Sequence, residues 1–163
     1  MFYKLPTSSL INLNWIMITI KNATLDDLEL IAPLFDAYRV FYRKESDLEA
    51  ARSFIKERIS NGESIIYLAL FSEEAVGFTQ LYPIFSSTRL KRVWLLNDLY
   101  VDKNHRGKGI SKLLLEKSKQ LTIDTNAAAV ILETEKSNII GNQLYPSVGF
   151  TVEDDVNHYY WEP

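Results

Sequence analysis

The chain has 163 residues, 47% hydrophobic and 24% charged, the size and composition of one globular domain that can bury a full core without covalent staples. Its 18 basic and 21 acidic residues give a formal net charge of -3, which lacks the basic excess of a dedicated nucleic-acid binder. The absence of cysteine excludes a disulfide framework, a thiolate metal site and a cysteine nucleophile, and His105 and His158 alone make no histidine-rich metal centre, so no metal is expected.

Residues 1–16, "MFYKLPTSSLINLNWI", hold broken apolar stretches, and no clean cleavage pattern follows them. They read as an N-terminal extension, either a mis-assigned start or an ordered packing arm, with a single domain over 17–163. No run of about 18 apolar residues marks a membrane span. A cytoplasmic protein with neither nucleic acid nor membrane as a partner is the corresponding expectation.

In chain order, "MITIKNA" alternates as a first strand. Thr24 is placed to cap a helix whose first turn carries Asp26 and Asp27. Leu28, Ile31, Leu34, Phe35, Tyr38 and Phe41 then recur at helical spacing, and Pro33 predicts a bend or a late start. A second helix fits 48–60, with Ala51, Phe54, Ile55 and Ile59 inward and Asn61-Gly62 ending it. Three strands follow, over 64–71, 75–85 and 92–101, with Pro83 predicting a bulge or an edge. A third helix fits 109–121, with Ile110, Leu113, Leu114, Lys117 and Leu121 on its inner face. "AAVILET" reads as a buried strand, and 138–145 as a short helix ended by Pro146. "VGFTVED" and "VNHYYWEP" read as a closing pair of strands, with His158 on the outer face. The order implies an α/β domain with a mixed sheet, hairpin-connected in its middle and crossed over by helices later.

The segment "HRGKGIS", between the long strand and the third helix, admits two readings. Gly107 and Gly109 let main-chain amides approach an anion, the helix start supplies further free amides, and Arg106 and Lys108 add positive charge. Alternatively it is a plain strand-to-helix turn with solvated cations. Neither the P-loop nor the dinucleotide fingerprint fits, since the loop is too short for the first and lacks the third glycine of the second.

The strand "LLNDLYV", the loop "HRGKGIS" and the later "LETEKSN…LYPSVGF" together resemble the GCN5-related N-acetyltransferase (GNAT) superfamily. Arg106, Gly109 and Ser111 occupy the positions of that family's loop, with Ser111 where glycine or alanine is usual. The resemblance extends over the order of elements from Met17 to Trp161 and implies a mixed central sheet flanked by helices. It further implies that two parallel central strands, 95–101 and 129–134, splay apart to admit acetyl-coenzyme A.

By the same resemblance, the amides of Arg106, Gly107, Lys108, Gly109, Ile110 and Ser111 hold the pyrophosphate. Main-chain groups of Leu99 and Val101 pair with the pantetheine arm, and amides near Leu99 and Tyr100 polarise the thioester carbonyl. The implied reaction is direct attack of a neutral amine, with no covalent enzyme intermediate. Tyr145 matches the tyrosine beside the coenzyme sulfur, as proton donor to the leaving thiolate; it is otherwise a core aromatic beside Val148 and Phe150. Asn138 matches an asparagine that contacts pantetheine or is simply a helix cap.

Asp98 is a candidate to take the amine proton or hold the substrate, or else to pair with Arg92 or a helix residue. Glu133 and Glu135 orient a water or are solvated charges, and His105 is a turn residue. Tyr38, Phe41 and Tyr42 are expected to line the acceptor mouth, or to be core. Arg39, Arg43 and Lys44 would favour a carboxylate or an acidic partner. The acceptor is a small-molecule amine or a peptide or protein amine. A homodimer is expected from the resemblance, with the terminal aromatics at its interface. The competing function is a non-catalytic coenzyme A or acyl-coenzyme A binding or regulatory module of the same fold.

Overall fold

A computed structural model describes residues 18–163. The proposed arm and Met17 lie outside the described residues. Strand β1 (Ile18–Asn22) leads through a short 3-10 turn into helices α1 (Leu28–Phe41) and α2 (Leu48–Ser60). Strands β2 (Ile65–Phe71), β3 (Glu74–Ser86) and β4 (Lys91–Val101) follow, then α3 (Ile110–Asp124), the two-residue β5 (Val130–Ile131) and α4 (Ile139–Ser147). The sheet order is β1-β2-β3-β4-β5. Its first four strands are antiparallel, and β4 pairs with β5 in parallel.

Alternation along β2 explains the layers. Ile66 and Leu68 face a cluster with Ile31, Phe35 and Ile55 from α1 and α2, together with Phe78. Tyr67 and Ala69 face the opposite cluster with Ile110, Leu114, Leu115 and Leu121 from α3. The sheet is thus covered by helices on both faces, as the mixed α/β reading requires.

The start of α1 follows its sequence signals. Asp27 reaches back to accept from the Thr24 main-chain N–H at 3.0 Å and pairs with Lys21 Nζ at 2.8 Å. The helix runs through Pro33 and forgoes the hydrogen bond that a proline cannot donate. On β3, Pro83 lies past Leu81, the last residue paired to β2, so one edge is free there and no ladder donor is lost.

Four local expectations need correction. The inner face of α3 is Ile110, Leu114, Leu115, Ser118 and Leu121, whereas Leu113 is exposed. Ser118 donates to the Leu114 carbonyl at 2.9 Å, and its small side chain lets the helix come close to the sheet. The strand expected over 128–134 pairs for only two residues. α4 continues one residue past Pro146, which sits in its last turn. Residues 151–163 form no strand: β5 is too short to template a neighbour, and Tyr159, Tyr160 and Trp161 stand exposed. His158 therefore sits on no sheet face and instead meets Glu133 at 3.1 Å in solvent.

Gly77 has a packing role that no turn signal reveals. It pairs with Val101, and a Cβ there would lie 2.7 Å from the Tyr100 carbonyl oxygen. Both are main-chain positions inside the sheet, so neither can swing away. Gly77→Ala should cost about 1–3 kcal/mol, read as a lower urea midpoint with an unchanged denaturant slope.

Candidate active site

The site grows from an irregularity in β4. Gln80 pairs with Asp98 while Leu81 pairs with Leu96, so Asn97 is an extra residue in β4. A bulge of this kind bends the strand and re-aims the next side chain. Asn97 is exposed, and Asp98 turns inward to 3% exposure. The Asp98 carbonyl accepts from the buried Thr79 hydroxyl at 2.9 Å, which fixes the main chain at the bend.

β4 and β5 separate at about the same level. They are joined at Trp94↔Val130 and Leu95↔Ile131, with Trp94 N–H donating to the Ala129 carbonyl at 2.9 Å. Beyond Leu95 the β5 side of β4 has no partner strand among the described residues. The main chain of Leu99, Tyr100 and Val101 therefore borders an opening. At its outer end, the Val101 carbonyl is already taken by Arg106 Nε at 3.0 Å.

The glycine loop leaves β4 through a short 3-10 turn, Lys103–His105, whose His105 N–H donates to the Asp102 carbonyl at 2.9 Å. His105 is a turn residue, as expected, with its ring against Phe71 at 5.1 Å between centroids. Gly107 and Gly109 have φ of +76° and +79°, the left-handed region that glycine enters without a Cβ penalty, and Gly109 is the cap residue of α3. An added Cβ would meet nothing within 4 Å at either glycine. Among the described residues, no hydrogen bond occupies the main-chain N–H of Arg106, Gly107, Lys108, Gly109, Ile110 or Ser111; the first amide in use is that of Leu113, which donates to Gly109 at 3.2 Å.

The loop cations are placed differently from a simple phosphate clamp. The Arg106 guanidinium lies 5.4 Å from the Phe41 ring centre and 5.8 Å from that of Tyr100. Lys108 Nζ lies 4.4 Å from the Phe71 ring centre. Ile110 buries its side chain in the core. Arg106 to Gly109 are all exposed, and their main-chain amides carry no partner among the described residues.

Two cavities flank this opening and share Tyr42. One, of about 570 Å³, is lined by Phe41, Tyr42 and Arg43 at the end of α1 and by Glu135, Ser137, Asn138, Ile139 and Ile140 at the start of α4. The other, of about 480 Å³, lies between α1, α2 and the β4 bulge, with Tyr38, Tyr42, Phe54, Asn97 and Asp98 in its wall. Phe41 is exposed rather than core, whereas Tyr38 is half-buried between Phe35, Phe78 and Tyr100.

Asp98 has no ion-pair partner among the described residues, because Arg92 stacks elsewhere, 5.1 Å from the Trp94 ring centre. Oδ1 of Asp98 accepts from Asn97 Nδ2 at 3.1 Å, and Oδ2 is buried, with the Tyr38 hydroxyl beside the carboxylate but no well-formed hydrogen bond to Oδ2. Burial raises the Asp98 pKa above the ordinary value of 3.8, against smaller opposing effects of Tyr38 and Asn97. Burial, and then the Asp98 carboxylate, raise the Tyr38 phenol well above its ordinary range. Its hydroxyl donates to the Asn97 carbonyl at 3.4 Å.

Tyr145 lies at the edge of the core. Its ring packs on Phe150 at 6.1 Å within the α3-side core. Burial, and then the field of Tyr42, raise its phenol, with the nearby Thr134 hydroxyl pulling the other way. Asn138 is a true helix cap, accepting from Gly141 N–H at 3.0 Å while donating to Thr134 Oγ1 at 2.9 Å. Thr134, which sequence reasoning passed over, thus links Asn138 and Tyr145. Its only signal was its place just before the helix that bears both. Ser137 is a further neighbour of Glu135, donating to it at 2.9 Å.

A mixed sheet whose parallel pair splays beside a loop of free amides is the arrangement that the family resemblance implies. The family model described as "Acetyltransferase (GNAT) family" matches residues 31–150, and the chain belongs to that family. A Bacillus subtilis (strain 168) protein, named as the uncharacterized N-acetyltransferase YhfO, is 42% identical over 140 residues, covering 86% of this chain and 94% of its own length. A Haemophilus influenzae protein named as a probable acetyltransferase is 32% identical over 108 residues, or 66% of this chain and 74% of its own. A crystal structure described as a probable acetyltransferase superposes with a TM-score of 0.85 at 41% identity, over 89% of this chain and 97% of the other. The chain is an acetyltransferase of the GNAT family.

Proposed function

We propose that the protein transfers an acetyl group from acetyl-coenzyme A to a primary amine by direct attack, with both substrates bound at once. The observation that carries this reading is the run of unpaired main-chain amides from Arg106 to Ser111 at the mouth of α3. Such amides, added to the helix N-terminus, form an anion site without needing a side-chain cation. The coenzyme supplies an activated acetyl thioester.

In this reading the donor lies along the free edge of β4 and passes the 570 Å³ cleft at Asn138. Main-chain groups of Leu99, Tyr100 and Val101 then border the thioester, where a fixed N–H stabilises developing negative charge. Arg106 Nε occupies one lone pair of the Val101 carbonyl and so braces the open edge while the other stays available to the donor. The acceptor occupies the 480 Å³ cavity, with its nitrogen directed at Asp98 Oδ2. Asp98 accepts the ammonium proton, and Tyr145 donates to the leaving sulfur. Tyr42, shared by the two cavities, marks where they meet.

Calorimetry with acetyl-coenzyme A tests the donor half, and release of free thiol in the presence of amines tests transfer. Gly109→Val places a β-branched residue at a φ of +79°, which only a few non-glycine residues tolerate. It should weaken acetyl-coenzyme A binding by about tenfold or more, since even one charge-assisted contact is worth about 1.5–3 kcal/mol. Unchanged affinity in a folded Gly109→Val protein would remove the loop from the binding site.

A further inference from the structure

The cavity beside the β4 bulge carries more information than its size. Phe35, Tyr38, Tyr42 and Phe54 give it an aromatic wall, with Phe35 and Phe54 stacked at 5.4 Å and an interplanar angle of 2°. Two buried polar atoms of its lining residues lack a hydrogen-bond partner. They are Asp98 Oδ2, on a side chain that is itself 3% exposed, and Arg39 Nη1. Arg39 keeps a long ion pair with Asp36 at 3.6 Å, and Asp36 also accepts from the Ser46 hydroxyl at 2.6 Å and the Asp47 N–H at 2.8 Å, so its charge is shared. Lys44, also in the wall, makes no salt bridge among the described residues. Unsatisfied buried polar groups are costly and call for a partner. The residues that carry them, one a carboxylate and the other a guanidinium, both line this apolar chamber.

From this pairing we infer that the acceptor is an amino-acid-like molecule: a single primary amine and a carboxylate on an apolar or aromatic body. The amine meets Asp98, the carboxylate meets Arg39 with Lys44 beside it, and the body lies against Phe54 and Tyr38. A polyamine fits poorly, because its further ammonium groups would face Arg39 and Lys44 and would leave both without an anion. A protein lysine fits poorly as well, since it brings no carboxylate near its ammonium. The inference rests on the proposed acetyl transfer and names the acceptor of that same site.

The test compares three amines with acetyl-coenzyme A at saturation: L-phenylalanine, 2-phenylethylamine, which is the same body without the carboxylate, and spermidine. Free thiol is followed over time, and the acetylated product is identified by mass. L-Phenylalanine should exceed 2-phenylethylamine in kcat/KM by about 10- to 100-fold, the range of one charge-assisted contact. Arg39→Gln should raise KM for L-phenylalanine far more than for 2-phenylethylamine and so erase that ratio. Spermidine or 2-phenylethylamine as the better substrate would overturn the inference and leave acetyl transfer standing, as would a ratio unmoved by Arg39→Gln. Calorimetric binding of acetyl-coenzyme A with none of the three amines acetylated would likewise overturn it. Failure to bind acetyl-coenzyme A would instead overturn the reading beneath it.

Discussion

Tyr145→Phe should lower kcat by about 10²-fold, the lower end of what a positioned general acid contributes, while acetyl-coenzyme A binds as before. The two parts of the residue make this a clean test. The ring remains against Phe150 in the core, so the fold keeps its packing, and only the hydroxyl with its Thr134 contact is lost. That loss is worth about 1 kcal/mol of stability. Burial holds the phenol above its ordinary value of 10.0, so it stays protonated and able to donate through neutral and mildly alkaline pH. Equal turnover in the variant, measured with a saturating amine, would show that the leaving thiolate needs no help from this side chain.

Asp98→Asn should move activity and stability in opposite directions. The amide cannot accept the ammonium proton, and kcat/KM should drop by about 10²-fold. Stability should rise, with a sign set by burial. Asp98 has a folded-state pKa above the ordinary 3.8, so the native state holds its proton more tightly than the unfolded chain. Its contribution is present below the unfolded pKa and is lost as pH rises through the folded value. Above that value the wild type carries a buried charge that Asn does not. The variant should therefore gain in melting temperature at pH 8 and gain little at pH 3. A variant less stable than wild type at pH 8 would mean that Asp98 is held by charge partners that the native fold supplies, contrary to its unpartnered Oδ2.

Both predictions concern residues singled out by sequence, yet the reason each is informative came from their surroundings. Asp98 reads as one more alternating residue in "LLNDLYV", with a salt bridge as an ordinary outcome. The bulge at Asn97 is a property of the β3–β4 register, and a register depends on two strands at once. Arg39 was visible only as one of several basic residues near the end of α1. Its Nη1 is buried without a hydrogen bond, 3.6 Å from the Asp36 carboxylate, which also accepts from Ser46 and Asp47 of the next connection. The terminal segment failed for a related reason. "VNHYYWEP" has the residue types of a strand, but a strand needs an edge to join, and β5 offers two residues.

Signals that act within a few residues were decided by the sequence itself: the Thr24 helix start, the three hairpin-linked strands, the positive-φ glycines before α3, and the family. These depend on local dihedral preference and on the period of apolar residues, which no distant contact needs to supply. Only the tertiary structure decided where β4 and β5 part, which face of α3 turns inward, and that Asp98 and Arg39 line one aromatic chamber. Those are consequences of burial, and burial is fixed by what the rest of the chain packs against a residue rather than by the residue or its neighbours.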